Sequence, residues 1–290
     1  MTGELAAPAL HWERRDFERR LGFKGAKYTG TNPALTFSLG ALLTLAFLVA
    51  LVPFMRTYVG ELFFARSSLW VQWTIAFLTS WSLAILFVKW RKLSLQAEAL
   101  RFSMAPAEAD YVLSPLTADD ILTRIRDLAD DPSRFLLLNR IERCLSNLKN
   151  LGRVADVDDI LRSQADNDEN YTEATYTLVR GFVWAIPVFG FIGTVVGLSQ
   201  AIGGFGEVLA KGADLAQLRE SLQSVTGGLA VAFETTLIGL VAAVGIQLLL
   251  TAVKKKEEDF LDECREYCHR HIVSRLRIAP MAEGPAEGAR

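Results

Sequence analysis

The chain has 290 residues, 51% of them hydrophobic, and a mean hydropathy of +0.23. A soluble domain of this size is ordinarily less apolar, so composition favours a membrane protein. The formal net charge of −2 excludes the basic excess that nucleic-acid binding normally shows, and three cysteines (Cys144, Cys264, Cys268) are too sparse and odd in number for a disulfide framework.

Residues 1–33 form a polar arm with Arg14, Arg15, Arg19, Arg20, Lys24 and Lys27, and Trp12 to Leu21 is expected to be a short amphipathic helix. The first apolar run starts too late for a signal peptide. Spanning a bilayer takes roughly 20 apolar residues in a helix. Four stretches qualify: Ala34 to Met55, Leu69 to Val88, Leu178 to Ile202 and Val225 to Val253. Lys89, Arg91 and Lys92 follow the second stretch, and Lys254, Lys255 and Lys256 follow the fourth. The two short connecting loops carry only Arg56 with Arg66 and Lys211 with Arg219. The positive-inside rule then places both termini and the long middle segment in the cytoplasm, with Trp70, Trp73 and Trp90 as interfacial anchors.

The middle segment is polar, with apolar residues at helical spacing in Ile121, Leu122, Ile125, Leu128 and in Leu137, Ile141, Leu145, Leu148. Helix starts are expected near Asp119 and Asp156, where carboxylates meet the N-terminal dipole. Glu257 to Leu276 continues the fourth span as an amphipathic helix, and Ala279 to Arg290, rich in Pro, Gly and Ala, reads as disordered. The chain thus reads as an all-α membrane protein, four transmembrane helices with a helical cytoplasmic extension. Its parts are an arm at 1–33, a first hairpin at 34–90, a cytoplasmic segment at 91–177, a second hairpin at 178–253, and a C-terminal helix and tail at 254–290.

The second hairpin carries the chemistry. Gly190, Gly193, Thr194, Gly197 and Ala201 share one helix face, just after Pro187, and that face has almost no side-chain bulk. Gly228, Ala232, Thr235 with Thr236, Gly239 and Ala243 make a second small stripe. Such stripes let membrane helices approach closely. Thr236 lies about 11 residues into its span, roughly 16 Å deep, and Thr194 is expected at similar depth. Glu234 sits in the same span. A carboxylate there costs several kcal/mol unless it is neutral, paired or wet, and no lysine or arginine lies in the apolar part of any span to pair with it. Being two residues from Thr236, it points about 200° away around the helix. A structural hydrogen bond that fixes subunit packing is the competing reading of Glu234, and close packing alone is the competing reading of the glycines.

The run Ile186-Pro-Val-Phe-Gly-Phe-Ile-Gly-Thr-Val-Val-Gly-Leu198 resembles the signature of the corresponding span in TolQ and ExbB, and Gly228-Leu-Ala-Val-Ala-Phe-Glu-Thr-Thr-Leu-Ile-Gly-Leu240 resembles their final span. The chain therefore resembles the MotA/TolQ/ExbB proton channel family, over about Arg180 to Val253. The resemblance implies a homopentamer in the bacterial inner membrane around a dimeric single-span partner of the MotB/TolR/ExbD type. The ion-carrying aspartate would be on that partner, and threonines matching Thr194 and Thr236 would line the path. It implies conversion of ion motive force into mechanical work across the envelope, with H⁺ or Na⁺ as the transported species and no cofactor. The four-span layout is like MotA, whereas the motifs are like TolQ and ExbB. The early glutamate of their last span falls at Val231 here, and Glu234 is one turn along. The Thr235–Thr236 pair is similar to sodium-driven stators.

Cys264, Cys268, His269 and His271 on the tail helix read as packing rather than metal ligation, and no nucleophile elbow or His-Glu-x-x-His motif points to an enzyme. Two alternatives stay open. One is a non-conducting scaffold of the same fold. The other is a solute transporter, which would show inverted repeats with broken helices.

Overall fold

The computed structural model describes residues 10–57, 60, 63–64, 69–104, 112–114, 117–146, 148, 154–210 and 215–277. Arg66, Lys211 and the tail Ala279 to Arg290 lie outside the described residues. The chain is all-helical among the described residues, with two isolated bridges, Leu10 to Ala129 and Leu113 to Leu276. In chain order the helices are α1 (Trp12–Arg15), α2 (Phe17–Arg20), α3 (Pro33–Leu51), α4 (Leu69–Glu98), α5 (Ala118–Leu128), α6 (Leu136–Ser146), α7 (Val154–Ala174), α8 (Thr177–Ala210) and α9 (Leu215–His271). Four helical stretches are long and apolar enough to cross a membrane, Pro33–Phe54, Leu69–Arg101, Val154–Gly203 and Arg219–Arg275. The protein is a multi-pass membrane protein.

The chain divides into two compact units. One gathers Pro33–Val88 and Tyr176–Val253, the apolar hairpins. In it α3 packs on α4 at Gly40, where an added Cβ would lie 2.8 Å from the Trp81 Cα, so the two backbones touch. The Trp81 indole N–H donates to the Thr36 hydroxyl at 3.2 Å, and its ring packs edge-on against Phe37. Val71, Ile75, Ile186 and Ala243 form one buried cluster, and Ile85, Leu86, Tyr176, Val179, Ile246 and Leu250 another. Much apolar surface stays uncovered: Trp184 is 73% exposed, Leu248 67% and Phe233 65%. In water such a surface would drive aggregation, whereas in a bilayer lipid covers it.

The other unit gathers Met1–Asn32, Lys89–Thr175 and Lys254–Arg290. Its core joins the buried faces of α5, α6, α7 and the end of α9, with Ile125, Leu137, Ile141, Leu161, Phe260 and Cys264 among its members. The apolar spacing in α5 and α6 marks these faces directly. The arm belongs to this core. Trp12 is fully buried and meets Phe135 edge-on at 5.3 Å, and Asp130 accepts from the backbone N–H groups of Trp12 (2.8 Å) and Glu13 (2.9 Å), capping α1 from 118 residues away.

Three features of this unit bear on the sequence reading, and the first differs from it. The Trp12 to Leu21 segment is two single turns, because Asp16 takes an extended backbone and caps α2 through its side chain. Lys89 and Lys92, which follow the second span, are buried. Lys89 Nζ lies 3.3 Å from Glu257 Oε2 and donates to Thr175 Oγ1 at 2.8 Å, while Lys92 Nζ donates to Glu18 Oε2 at 2.6 Å and to the Gly30 carbonyl at 2.8 Å. Finally, the face with Cys264 and Cys268 points into the core beside Cys144. Burial pushes the Cys144 thiol up to about 12 and Cys268 up to about 11, which disfavours the thiolate that metal binding or reaction would need. No cluster of metal-ligating residues occurs among the described residues.

Candidate ion-pathway site

Helices α8 and α9 come together along the two small stripes, and glycine makes the approach possible. A Cβ on Gly193 would lie 2.4 Å from Thr235 Oγ1 and 2.7 Å from Thr235 Cβ. One on Gly190 would lie 3.0 Å from the Thr235 carbonyl, one on Gly197 2.9 Å from the Gly228 carbonyl, and one on Gly228 2.8 Å from the Ala201 Cβ. A Cβ on Gly239 would lie 3.1 Å from the Ile186 carbonyl, and Ala232 sits against Gly197. The stripes therefore interlock over Ile186 to Ala201 on α8 and Gly228 to Gly239 on α9. Gly181, Gly203, Gly227 and Gly245 meet nothing within 4 Å, so close approach is confined to the stripe. Pro187 lies inside α8 and removes the N–H that would bond the Val183 carbonyl. Both residues line a 320 Å³ cavity with Leu240, Ala243, Val244 and Gln247.

At the centre of the interlock lies a small polar spot. Thr235 is fully buried, and its hydroxyl donates to the Ala232 carbonyl of its own helix at 2.9 Å, with the Gly190 carbonyl at 3.4 Å. Thr236, half-buried, donates to the same Gly190 carbonyl at 3.1 Å. Two hydroxyls of α9 thus converge on one carbonyl of α8. Thr194 sits one residue past Gly193 and is half-buried, but its hydroxyl donates to Phe191 of its own helix at 2.6 Å. Such back-bonding satisfies a hydroxyl without a neighbour.

Glu234 is half-buried, and among the described residues it has neither an ion pair nor a hydrogen bond. Thr236 turns to α8, so Glu234 lies on another side of α9. Leu237 and Val241, three and seven residues on, line an apolar cavity of 530 Å³ with Leu43, Phe47, Ile75 and Leu83. The carboxylate therefore shares its helix face with an oily surface.

Two groups went unnoticed in the sequence. The Gly190 carbonyl is the acceptor that organises both threonines, and a backbone atom leaves no trace in residue type. Gln72 in α4 is fully buried, and among the described residues both polar atoms of its amide lack a hydrogen-bond partner. A glutamine inside an apolar run was the available signal. A buried unpaired amide costs free energy, which makes Gln72 a residue to test.

Residues 129–266 match the family model of the MotA/TolQ/ExbB proton channel family. The match starts upstream of the motif resemblance at Arg180 to Val253, taking in α6 and α7, and extends into the tail part of α9. No curated protein and no solved structure gives a significant match to the chain. The interlocked helix pair and its threonines thus sit inside the matched segment, and over residues 129–266 the chain carries a domain of the MotA/TolQ/ExbB proton channel family.

Proposed function

We propose that this chain is the channel subunit of an ion-driven complex, in which five copies surround a dimeric single-span partner whose transmembrane aspartate carries the ion. The ion is H⁺ in this reading, with Na⁺ the alternative that the Thr235–Thr236 pair would favour. The complex resides in the bacterial inner membrane with both termini cytoplasmic and converts ion motive force into work across the envelope, with no covalent chemistry of its own. The observation that carries this reading is the convergence of the Thr235 and Thr236 hydroxyls on the Gly190 carbonyl, within a glycine-interlocked helix pair of a proton channel family domain. Buried hydroxyls and a carbonyl can stand in for hydration along an ion path. Thr236 and Thr194, both half-buried, would supply the polar step, and Glu234 would tune it from the other side of α9.

A second reading, a scaffold without conduction, draws on one specific observation: the three threonine hydroxyls all have acceptors within the helix pair itself. The two separate by experiment. The chain is co-reconstituted with its single-span neighbour, and proton entry is followed with a pH-sensitive dye. In the channel reading, Thr236→Val or Glu234→Gln leaves the complex assembled and stops the flux. Unchanged flux in both variants would remove the proposed mechanism, and absence of flux from the unsubstituted complex would favour the scaffold.

A further inference from the structure

The N-terminal arm carries a built surface that neither the helix pair nor the family match explains. After α2 the chain turns sharply. Gly22 has φ +80°, its N–H donates to the Arg19 carbonyl at 3.0 Å, and the N–H groups of Leu21 and Phe23 donate to the Glu18 carbonyl at 3.2 and 3.0 Å. The positive φ suits glycine. The base of this hook is fixed. The Glu18 carboxylate is fully buried and accepts from the backbone of Ala26 (2.7 Å) and Asn32 (2.6 Å) and from Lys92 (2.6 Å), while the Asn32 amide donates to the Lys24 carbonyl at 3.0 Å. A buried carboxylate with three donors is a rigid anchor.

The tip has the opposite character. Leu21 is 53% exposed, Arg20 and Lys24 flank it, both exposed, and among the described residues neither has an ion-pair partner. The cations nearer the base differ: Arg15 pairs with Glu98 and Arg19 with Glu13. An apolar residue set between two uncompensated cations complements an amphiphile with an anionic head and an apolar tail. Chain position supplies that amphiphile. Gly22 is eleven residues ahead of Pro33, where α3 begins, and the anchoring Lys92 comes four residues after Val88 on α4, about 6 Å along the axis. Along the chain, the hook thus lies eleven residues before one apolar span and is anchored four residues past another.

We propose that the hook from Arg19 to Lys24 docks on anionic phospholipid headgroups, with Arg20 and Lys24 on the phosphates and Leu21 at the acyl boundary. This surface is independent of conduction through the helix pair. Its test uses the full chain carrying Leu21→Cys, labelled with an environment-sensitive dye, while the three native cysteines stay buried. The protein is placed in nanodiscs of phosphatidylcholine alone or with increasing phosphatidylglycerol, some of the lipid being brominated in its acyl chains. Quenching of the label should rise with the phosphatidylglycerol fraction. Removing Arg20 and Lys24 together (R20A with K24A) should weaken that dependence, by roughly fivefold for each charge lost. Quenching that is absent, or equal with and without phosphatidylglycerol, overturns the proposal. So does shielding of the label that requires an added protein rather than the anionic lipid.

Discussion

Replacing Gly193 by alanine tests the interlock at its tightest point. The new methyl would stand 2.4 Å from Thr235 Oγ1 and 2.7 Å from Thr235 Cβ, against an ordinary contact of 3.4 Å or more. Turning the hydroxyl away relieves the first clash but not the second, because the Cβ is fixed to the backbone of α9. The helices must separate by about 0.7 Å, the shortfall from 2.7 to 3.4 Å. A matching displacement would stretch the Thr236 to Gly190 bond from 3.1 Å to about 3.8 Å, beyond hydrogen-bond reach. Overpacking costs about 1–3 kcal/mol. The lost membrane hydrogen bond adds about 0.6 kcal/mol, and alanine's better helix propensity returns up to about 1 kcal/mol. The net is a destabilisation of about 1–3 kcal/mol. Gly181→Ala and Gly245→Ala, where nothing lies within 4 Å, keep only the propensity gain and should be neutral or slightly stabilising. Thermal unfolding of the three variants in one detergent measures the contrast. A Gly193→Ala protein as stable as the two controls would refute the backbone-on-backbone account of the helix pair.

Other consequences are as direct. Gln72→Leu removes a buried amide without partners and should hold or raise the unfolding temperature, while a loss of ion flux in the same variant would place Gln72 on the conduction path. Lys92→Met leaves the Glu18 carboxylate buried without its cation and should cost about 3–5 kcal/mol, with limited proteolysis cutting first in the freed arm. Burial raises the folded-state pKa of Asp16, with Lys92 opposing it, so the stability linked to its proton is fully present below the ordinary carboxylate pKa and is lost as pH rises through the raised value. Asp16→Asn, which keeps a capping oxygen, should therefore flatten the stability profile in that acid range, and an unchanged profile would show that Asp16 does not titrate there.

Much of the fold was legible because its signals are local. Four apolar runs give four spans, and the spacing Ile121, Leu122, Ile125 gives the buried face of α5. The stripe of Gly190, Gly193 and Gly197 was visible as a face without bulk, and its partner on α9 followed from the same rule. The arm was not legible. Its cations read as a solvated basic stretch, yet its stability comes from Glu18 meeting Lys92 across 74 residues, and such a pairing has no periodicity to betray it. Nor could residue type tell Thr235 from Thr236. A rotation of 100° per residue buries the first completely and leaves the second half-open, and the neighbouring helix decides which. Lys89 and Lys92 follow the second span in sequence, but their side chains turn into the polar unit, where Glu257, Thr175 and Glu18 meet them.

The contact of α8 with α9 also divides how the chain is free to change over generations. Positions 190, 193, 197, 228 and 239 touch peptide groups or a side chain rooted on the facing backbone, so the alphabet there shrinks to a single letter. Leu240, Val244 and Leu248, on the same α9 helix, are open and need only be greasy, so many letters serve. Drift should therefore erase the exposed apolar text of a descendant long before it erases the spacing of five glycines. That spacing, with two hydroxyls between the last pair, is the inscription by which distant kin of this helix pair would still be recognised.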